Sequence, residues 1–316
     1  MGAASGGKTT YLGTLSFAVE RLAAEKRRRG SGVRPWQMTA ANDASRDFVT
    51  LLRQEIRNHS FPQATVATAN LSWHVQGSET SRTKALLPWK RTWVTREIDF
   101  YLDVADLPGE AFLLQSDDAR AHAAAVERMV QADALVILFD PMLELNRAGG
   151  TLTNHDYIDK FVHWMLTKAE QSGRLTREGT LPQHVALCVT KFDEPTIFEG
   201  AYHAGFVSVR EDGSPRIPNE LIDDYYDWID QRIRTEVGRA SATEVRSLLE
   251  TTFAHVSCYA VSSIGFHRDE RERFWPGDPG NVRVVDEERQ IRGSVYPVNV
   301  LEPLIDLERR IKAVAE

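Results

Sequence analysis

Gly2-Ala3-Ala4-Ser5-Gly6-Gly7-Lys8-Thr9 opens the chain: a glycine, four residues, then Gly-Lys-Thr. This is the spacing of a phosphate-binding loop. Glycines let such a loop curl until successive backbone N–H groups point inward at phosphate oxygens. Lys8 would reach the outer phosphates, and the Thr9 hydroxyl would ligate Mg²⁺. Gly2, Ser5, Gly6, Gly7, Lys8, Thr9 and Thr10 are therefore the candidate phosphate contacts. An apolar-periodic stretch from Thr10 to about Arg29 predicts a helix whose positive N-terminal end faces the same anion. A loop of this kind normally follows a buried strand, and only Met1 stands before Gly2. The true start lies upstream, or the chain is truncated, or another segment fills that slot; a missing first strand is the favoured expectation.

The remaining residues set the class. Of 316 residues, 42% are hydrophobic and 26% charged, an ordinary globular balance. The formal net charge of −7 gives no reason to expect a nucleic-acid surface. Lys26-Arg27-Arg28-Arg29 is basic, but it closes the first helix, where cations complement the dipole. Cys188 and Cys258 sit in apolar runs and read as buried free thiols of a reducing cytosol. No apolar run approaches the roughly 18 residues of a membrane span. A cytoplasmic protein is expected.

Periodicity places helices at about 43–58, 119–131, 156–171, 219–237 and 243–253, with an amphipathic helix at 298–314. Residues 66–76 and 93–105 alternate and predict an antiparallel pair at a sheet edge. ALVILF (134–139) is a short, fully apolar run, the pattern of a parallel strand buried on both faces, and HVALCV (184–189) and HVSCYAV (255–261) read as a second and a third buried strand. Strands alternating with helices predict one α/β domain over residues 1–316, a mainly parallel, doubly wound, three-layer αβα sheet with helical insertions. Its ligand loops would lie at the carboxyl ends of the strands. The insertions are placed at about 30–64, 197–245 and 267–296.

Three strands each run into a polar motif. Asp106-Leu107-Pro108-Gly109-Glu110 follows the first; Asp106 could hold Mg²⁺ through water, and the Gly109 N–H could meet a γ-phosphate oxygen. Thr190-Lys191-Phe192-Asp193 follows the second. A buried carboxylate at Asp193 would accept both the N1–H and the exocyclic amine of guanine. Adenine lacks that donor pair and would leave the carboxylate unsatisfied. The Lys191 stem would lie along the base plane. Ser262-Ser263-Ile264-Gly265 follows the third and could present backbone N–H to the guanine O6.

The order of these four motifs resembles that of the translation-factor-related class of GTPases, which includes Ras-like proteins. Phe139-Asp140-Pro141 and the closing Pro297-Val298-Asn299-Val300-Leu301-Glu302-Pro303-Leu304 look like bacterial proteins with double-GTPase domains. The resemblance implies a P-loop fold and a GTP/GDP switch that needs Mg²⁺ and meets a protein effector or activator. It also implies a switch threonine over the metal and γ-phosphate, for which Thr65 is chosen over Thr68. A water-orienting residue is implied after Gly109, where Glu110 stands instead of a glutamine close by. A carboxylate there adds negative charge beside the γ-phosphate, so slow hydrolysis is expected. The competing expectation is a non-catalytic nucleotide-binding scaffold from a bacterial conflict or signalling system. An adenine-dependent kinase or ATPase is the weaker third, opposed by Asp193.

Overall fold

The first helix starts directly on the opening motif. Lys8–Arg28 form α1, with Tyr11, Leu15, Val19 and Ala23 buried at four-residue spacing and Lys26, Arg27 and Arg28 in the last turn. The structure, a computed structural model, describes residues 1–2, 7–28, 34–62, 69–82, 93–106, 119–146, 153–210, 213–238 and 241–315. The expected contacts Ser5, Gly6, Thr65, Gly109 and Glu110 lie outside these residues.

After α1 come β1 (Gln37–Ala40), α2 (Asp43–Arg57), β2 (Ala69–Arg82) and β3 (Trp93–Asp106). Asn42 caps α2, its side-chain oxygen accepting the Ser45 N–H at 2.8 Å. β1, β2 and β3 form an antiparallel sheet in that order, and β2 and β3 pair along their whole length, from Ala69 opposite Asp106 to Arg82 opposite Trp93. One face carries the buried Leu71, Trp73, Val75 and Ile98; Tyr101 on the other face is 65% exposed. This alternation is that of an antiparallel sheet with one solvated side.

The second half supplies α3 (Ala119–Gln131), β4 (Ala134–Phe139), α4 (Pro141–Leu145), α5 (Asn154–Gln171) and β5 (Leu181–Val189). Then follow α6 (Pro195–His203), the short pair β6 (Ser208–Val209) and β7 (Pro215–Arg216), α7 (Ile222–Val237), α8 (Ser241–Thr252) and β8 (Phe253–Ala260). A hairpin of β9 (Val282–Val285) and β10 (Glu288–Ile291) precedes the closing α9 (Glu302–Ala315). Strands β4, β5 and β8 form a parallel sheet in that order. Leu135, Ile137, Phe139, Val185, Leu187 and Val189 point into a core shared with α3, α5, α7 and α8. The intervening Leu138, Ala186 and Cys188 point to the opposite core, with α1 and α9. Period-two alternation thus covers both faces of the central strand β5, whereas β8, an outer strand of this sheet, is less buried and carries His255 and Ser257.

The expected extended, doubly wound parallel sheet is corrected by these pairings. Among the described residues the parallel sheet has three strands, and β1, β2 and β3 form a sheet of their own. Antiparallel neighbours need only a short connection and saturate each other's backbone groups, so β2 and β3 do not require a place in the parallel sheet. Helix α9 spans the two sheets: Arg96 of β3 donates to Glu308 at 2.7 Å and Arg309 donates to Glu79 of β2 at 2.8 Å. The final helix begins at Glu302 rather than 298, because Val298 is held in backbone pairing with Ser262. The stretch 267–296, expected as an insertion, contains the β9–β10 hairpin. No helix among the described residues is long and apolar enough to cross a membrane.

Candidate functional site

The carboxyl ends of the parallel strands gather most of the described motif residues. Gly2 pairs with Leu138 of β4 in parallel fashion, and Leu138 N–H donates to the Met1 carbonyl at 2.6 Å. A Cβ on Gly2 would come within 2.9 Å of the Leu138 carbonyl oxygen, so only glycine lies this close to the strand. The buried Tyr157 hydroxyl of α5 hydrogen-bonds the Gly2 backbone. Gly7 has φ +81° with open space beside it, and its carbonyl accepts the Tyr11 N–H at 2.8 Å, the first turn of α1. Both ends of the opening loop are thereby fixed. Lys8 starts the helix and its Nζ donates to the Gly2 carbonyl at 2.8 Å, reaching back across the loop's span. Thr9 and Thr10 follow in the first turn of α1, where the backbone N–H groups are not used within the helix.

Thr190 continues β5 by one backbone bond: its N–H donates to the Phe139 carbonyl at 2.8 Å and its hydroxyl to the same oxygen at 3.2 Å. Lys191 then takes φ +56°, a left-handed conformation that side chains other than glycine seldom adopt. Phe192 turns inward and is fully buried among Phe198, Tyr225 and Phe266. Its N–H donates to the Val261 carbonyl at 3.1 Å. This anchor places Asp193 beside the end of β8. Asp193 is 7% exposed, and its Oδ1 accepts the Ser262 hydroxyl. Burial pushes its carboxyl up to about 6; the Ser262 hydrogen bond opposes that shift.

Ser262 is held three ways. Its N–H and carbonyl pair with Val298 at 3.0 and 2.8 Å, and its hydroxyl oxygen accepts the Gly265 N–H at 2.8 Å. Gly265 has φ +71°, and a Cβ there would stand 1.8 Å from the Tyr296 carbonyl oxygen, so the turn excludes any side chain. Ser263, the next residue, is half-buried at this turn.

Register joins these pieces. Gly2 lies beside Leu138, Leu138 beside Cys188, and Val189 beside Ala260. The Lys8 loop, the Thr190–Asp193 turn and the Ser262–Gly265 turn therefore leave one rim of one sheet. Asp106 is not part of that rim's pairing: it ends β3, opposite Ala69, in the antiparallel sheet. Among the described residues no group of three or more His, Cys, Asp or Glu could hold a metal by itself. Thr190–Asp193 and Ser262–Gly265 are thus together at this rim; Asp106 ends a strand of the antiparallel sheet, and Thr65, Gly109 and Glu110 lie outside the described residues. Of the arginines near the switch region, Arg96 is engaged by Glu308.

Sequence reasoning assigned no role to Asp140, the polar residue directly after β4. It is 1% exposed, and its Oδ2 meets Lys191 Nζ at 2.5 Å. Its position was a usable signal, since Thr190 and Ser262 likewise follow buried strands. The Tyr296 contact to Gly265 has no sequence signature. Comparison with family models, with curated proteins and with solved structures finds no match. The functional reading rests on the rim itself.

Proposed function

We propose that this rim binds a guanine nucleotide and that the chain is a slow GTPase. The observation that carries the reading is Asp193: a buried carboxylate, fixed by Ser262, at the strand end next to Lys191. Such a group is costly to bury unless a ligand supplies donors. The N1–H and 2-amino group of guanine form a matched donor pair, whereas adenine would leave the carboxylate unpaired. The Lys191 stem would cover one face of the base, and the amides of Ser262 and Ser263 would meet O6.

The phosphates would lie toward Gly2–Thr10. The α1 N-terminus, the Gly7 turn and the Lys8 ammonium all favour negative charge there. Lys8 would exchange its bond to the Gly2 carbonyl for phosphate oxygens. Mg²⁺ would be held by the Thr9 hydroxyl and, through water, Asp106, and would offset charge on the phosphates. Hydrolysis is attack of water on the γ-phosphorus. The bond to the β–γ bridging oxygen breaks, GDP and phosphate leave, and the water proton goes to solvent or to a carboxylate such as Glu110. Glu110 also favours the second reading, a nucleotide-binding scaffold with no turnover, because its charge opposes a nearby triphosphate.

Competition binding tests the base assignment. GDP and GTP are expected to displace a fluorescent guanine nucleotide, ATP not, and Asp193→Asn should move preference toward xanthine nucleotides. Equal competition by ATP overturns the guanine reading. Phosphate release no faster than that of Lys8→Ala supports the scaffold over the enzyme.

A further inference from the structure

We infer that Asp140 is a positioning residue for base recognition, holding Lys191 so that its stem lies along the guanine plane while Asp193 reads the base edge. The inference rests on the proposed guanine reading and deepens it. Lys191 is the one residue of its turn with a left-handed backbone, and a long flexible side chain on such a backbone has no fixed direction of its own. Its direction is set at the far end, where Nζ meets Asp140.

Asp140 is itself immobilised on every side. Its Oδ1 accepts the Met142 N–H at 3.0 Å, capping α4. Its backbone N–H donates to Asn154 Oδ1 at 3.2 Å, and its carbonyl accepts from Asn154 Nδ2 at 2.9 Å. Asn154 is tied in turn to Glu144 Oε1, from its backbone N–H at 2.7 Å and from Nδ2 at 2.8 Å. Asp140, Glu144 and Asn154 are all buried. A chain of satisfied polar groups in a low-dielectric interior is rigid, so the carboxylate is a fixed point for the ammonium. The α4 cap needs only one oxygen of Asp140, and Thr190 reaches Phe139 without it. Among the described residues the second oxygen meets Lys191. A carboxylate at this depth, needed only as a cap, could be Ser or Asn.

The test uses Asp140→Asn and Asp140→Ser, which keep a capping acceptor for Met142 and lose the charge, with Lys191→Ala and the double variants. Binding of a fluorescent GDP and of inorganic tripolyphosphate is measured for each, with thermal melts. Each Asp140 variant is expected to weaken GDP binding about tenfold, the loss of one charge-assisted contact, and to leave tripolyphosphate affinity unchanged. In the Lys191→Ala background the same Asp140 substitutions should cost no further GDP affinity, a coupling that a merely structural role would not produce. Wild-type GDP affinity in both folded Asp140 variants overturns the inference. So do additive losses, or equal losses of GDP and tripolyphosphate. If the wild-type chain binds no guanine nucleotide, the guanine reading falls and this inference falls with it; GDP binding by the wild type with unaltered Asp140 variants sinks the positioning role alone.

Discussion

The two three-stranded sheets have opposite characters. In the antiparallel sheet polar and apolar residues alternate, so its polar groups reach water: His74 and Asp99 pair at 2.8 Å on a surface that also carries exposed Tyr101. In the parallel sheet the central strand β5 is buried almost throughout, and the polar residues of the rim gather where the strands end. There they satisfy one another, as buried Asp193 does with Ser262 and buried Asp140 with the half-buried Lys191. Buried polar groups with fixed partners are where a ligand's own donors and acceptors have the largest energetic effect. The comparison therefore separates a sheet that supports from a sheet that presents.

The largest expected contrast is in packing. Phe192→Ala empties the centre of an aromatic cluster and should cost about 3–5 kcal/mol in urea unfolding. Tyr101→Ala on the wet face should stay within about 0.5 kcal/mol. Similar losses at the two positions would break the contrast.

The next effect is electrostatic. Asp193, with its carboxyl pushed up to about 6 in the fold against 3.8 as a free group, binds a proton in the folded state that the unfolded chain releases. Its contribution is present below pH 3.8 and is lost as pH rises through about 6. Stability of the wild type relative to Asp193→Asn should fall by roughly 2–3 kcal/mol over that window. Guanine-nucleotide affinity should move the other way, dropping below pH 6 as the carboxylate is neutralised. A pH-independent difference between the two proteins would show that burial does not act on this group as described.

The smallest effect concerns the seam between the sheets. Arg309 to Glu79 is a half-exposed pair at 2.8 Å, and Arg309→Ala should cost only about 0.2–1 kcal/mol, less at high salt. A larger cost would mean that α9 joins the sheets through charge rather than through Leu304, Ile305 and Leu307 in the shared core.

What was legible in the sequence follows the same division. The largely apolar runs announced β4, β5 and β8 within a few residues, since a strand packed between helices leaves little freedom of composition. Thr190–Asp193 and Ser262–Gly265 were legible as turns because each interrupts such a run with polar residues. The separation into two sheets was not legible: periodicity tells which face of a strand is wet, but not which edge meets which neighbour. β1 escaped notice because QMTA is four residues long and its pairing partner, β2, is more than thirty residues away. Asp140 escaped because its partner is fifty-one positions on, across two helices. Only the register of β4 against β5 brings the two residues together.

The backbone ladder of the parallel sheet does not stop where its strands stop. Thr190, Phe192, Val261 and Ser262 donate in turn to Phe139, Val261, Val189 and Val298. In deuterium these amides should exchange on the timescale of the sheet interior rather than that of surface loops. A ligand arriving at this rim would find it already ordered, with little motion left to arrest and hence a small entropic penalty on binding.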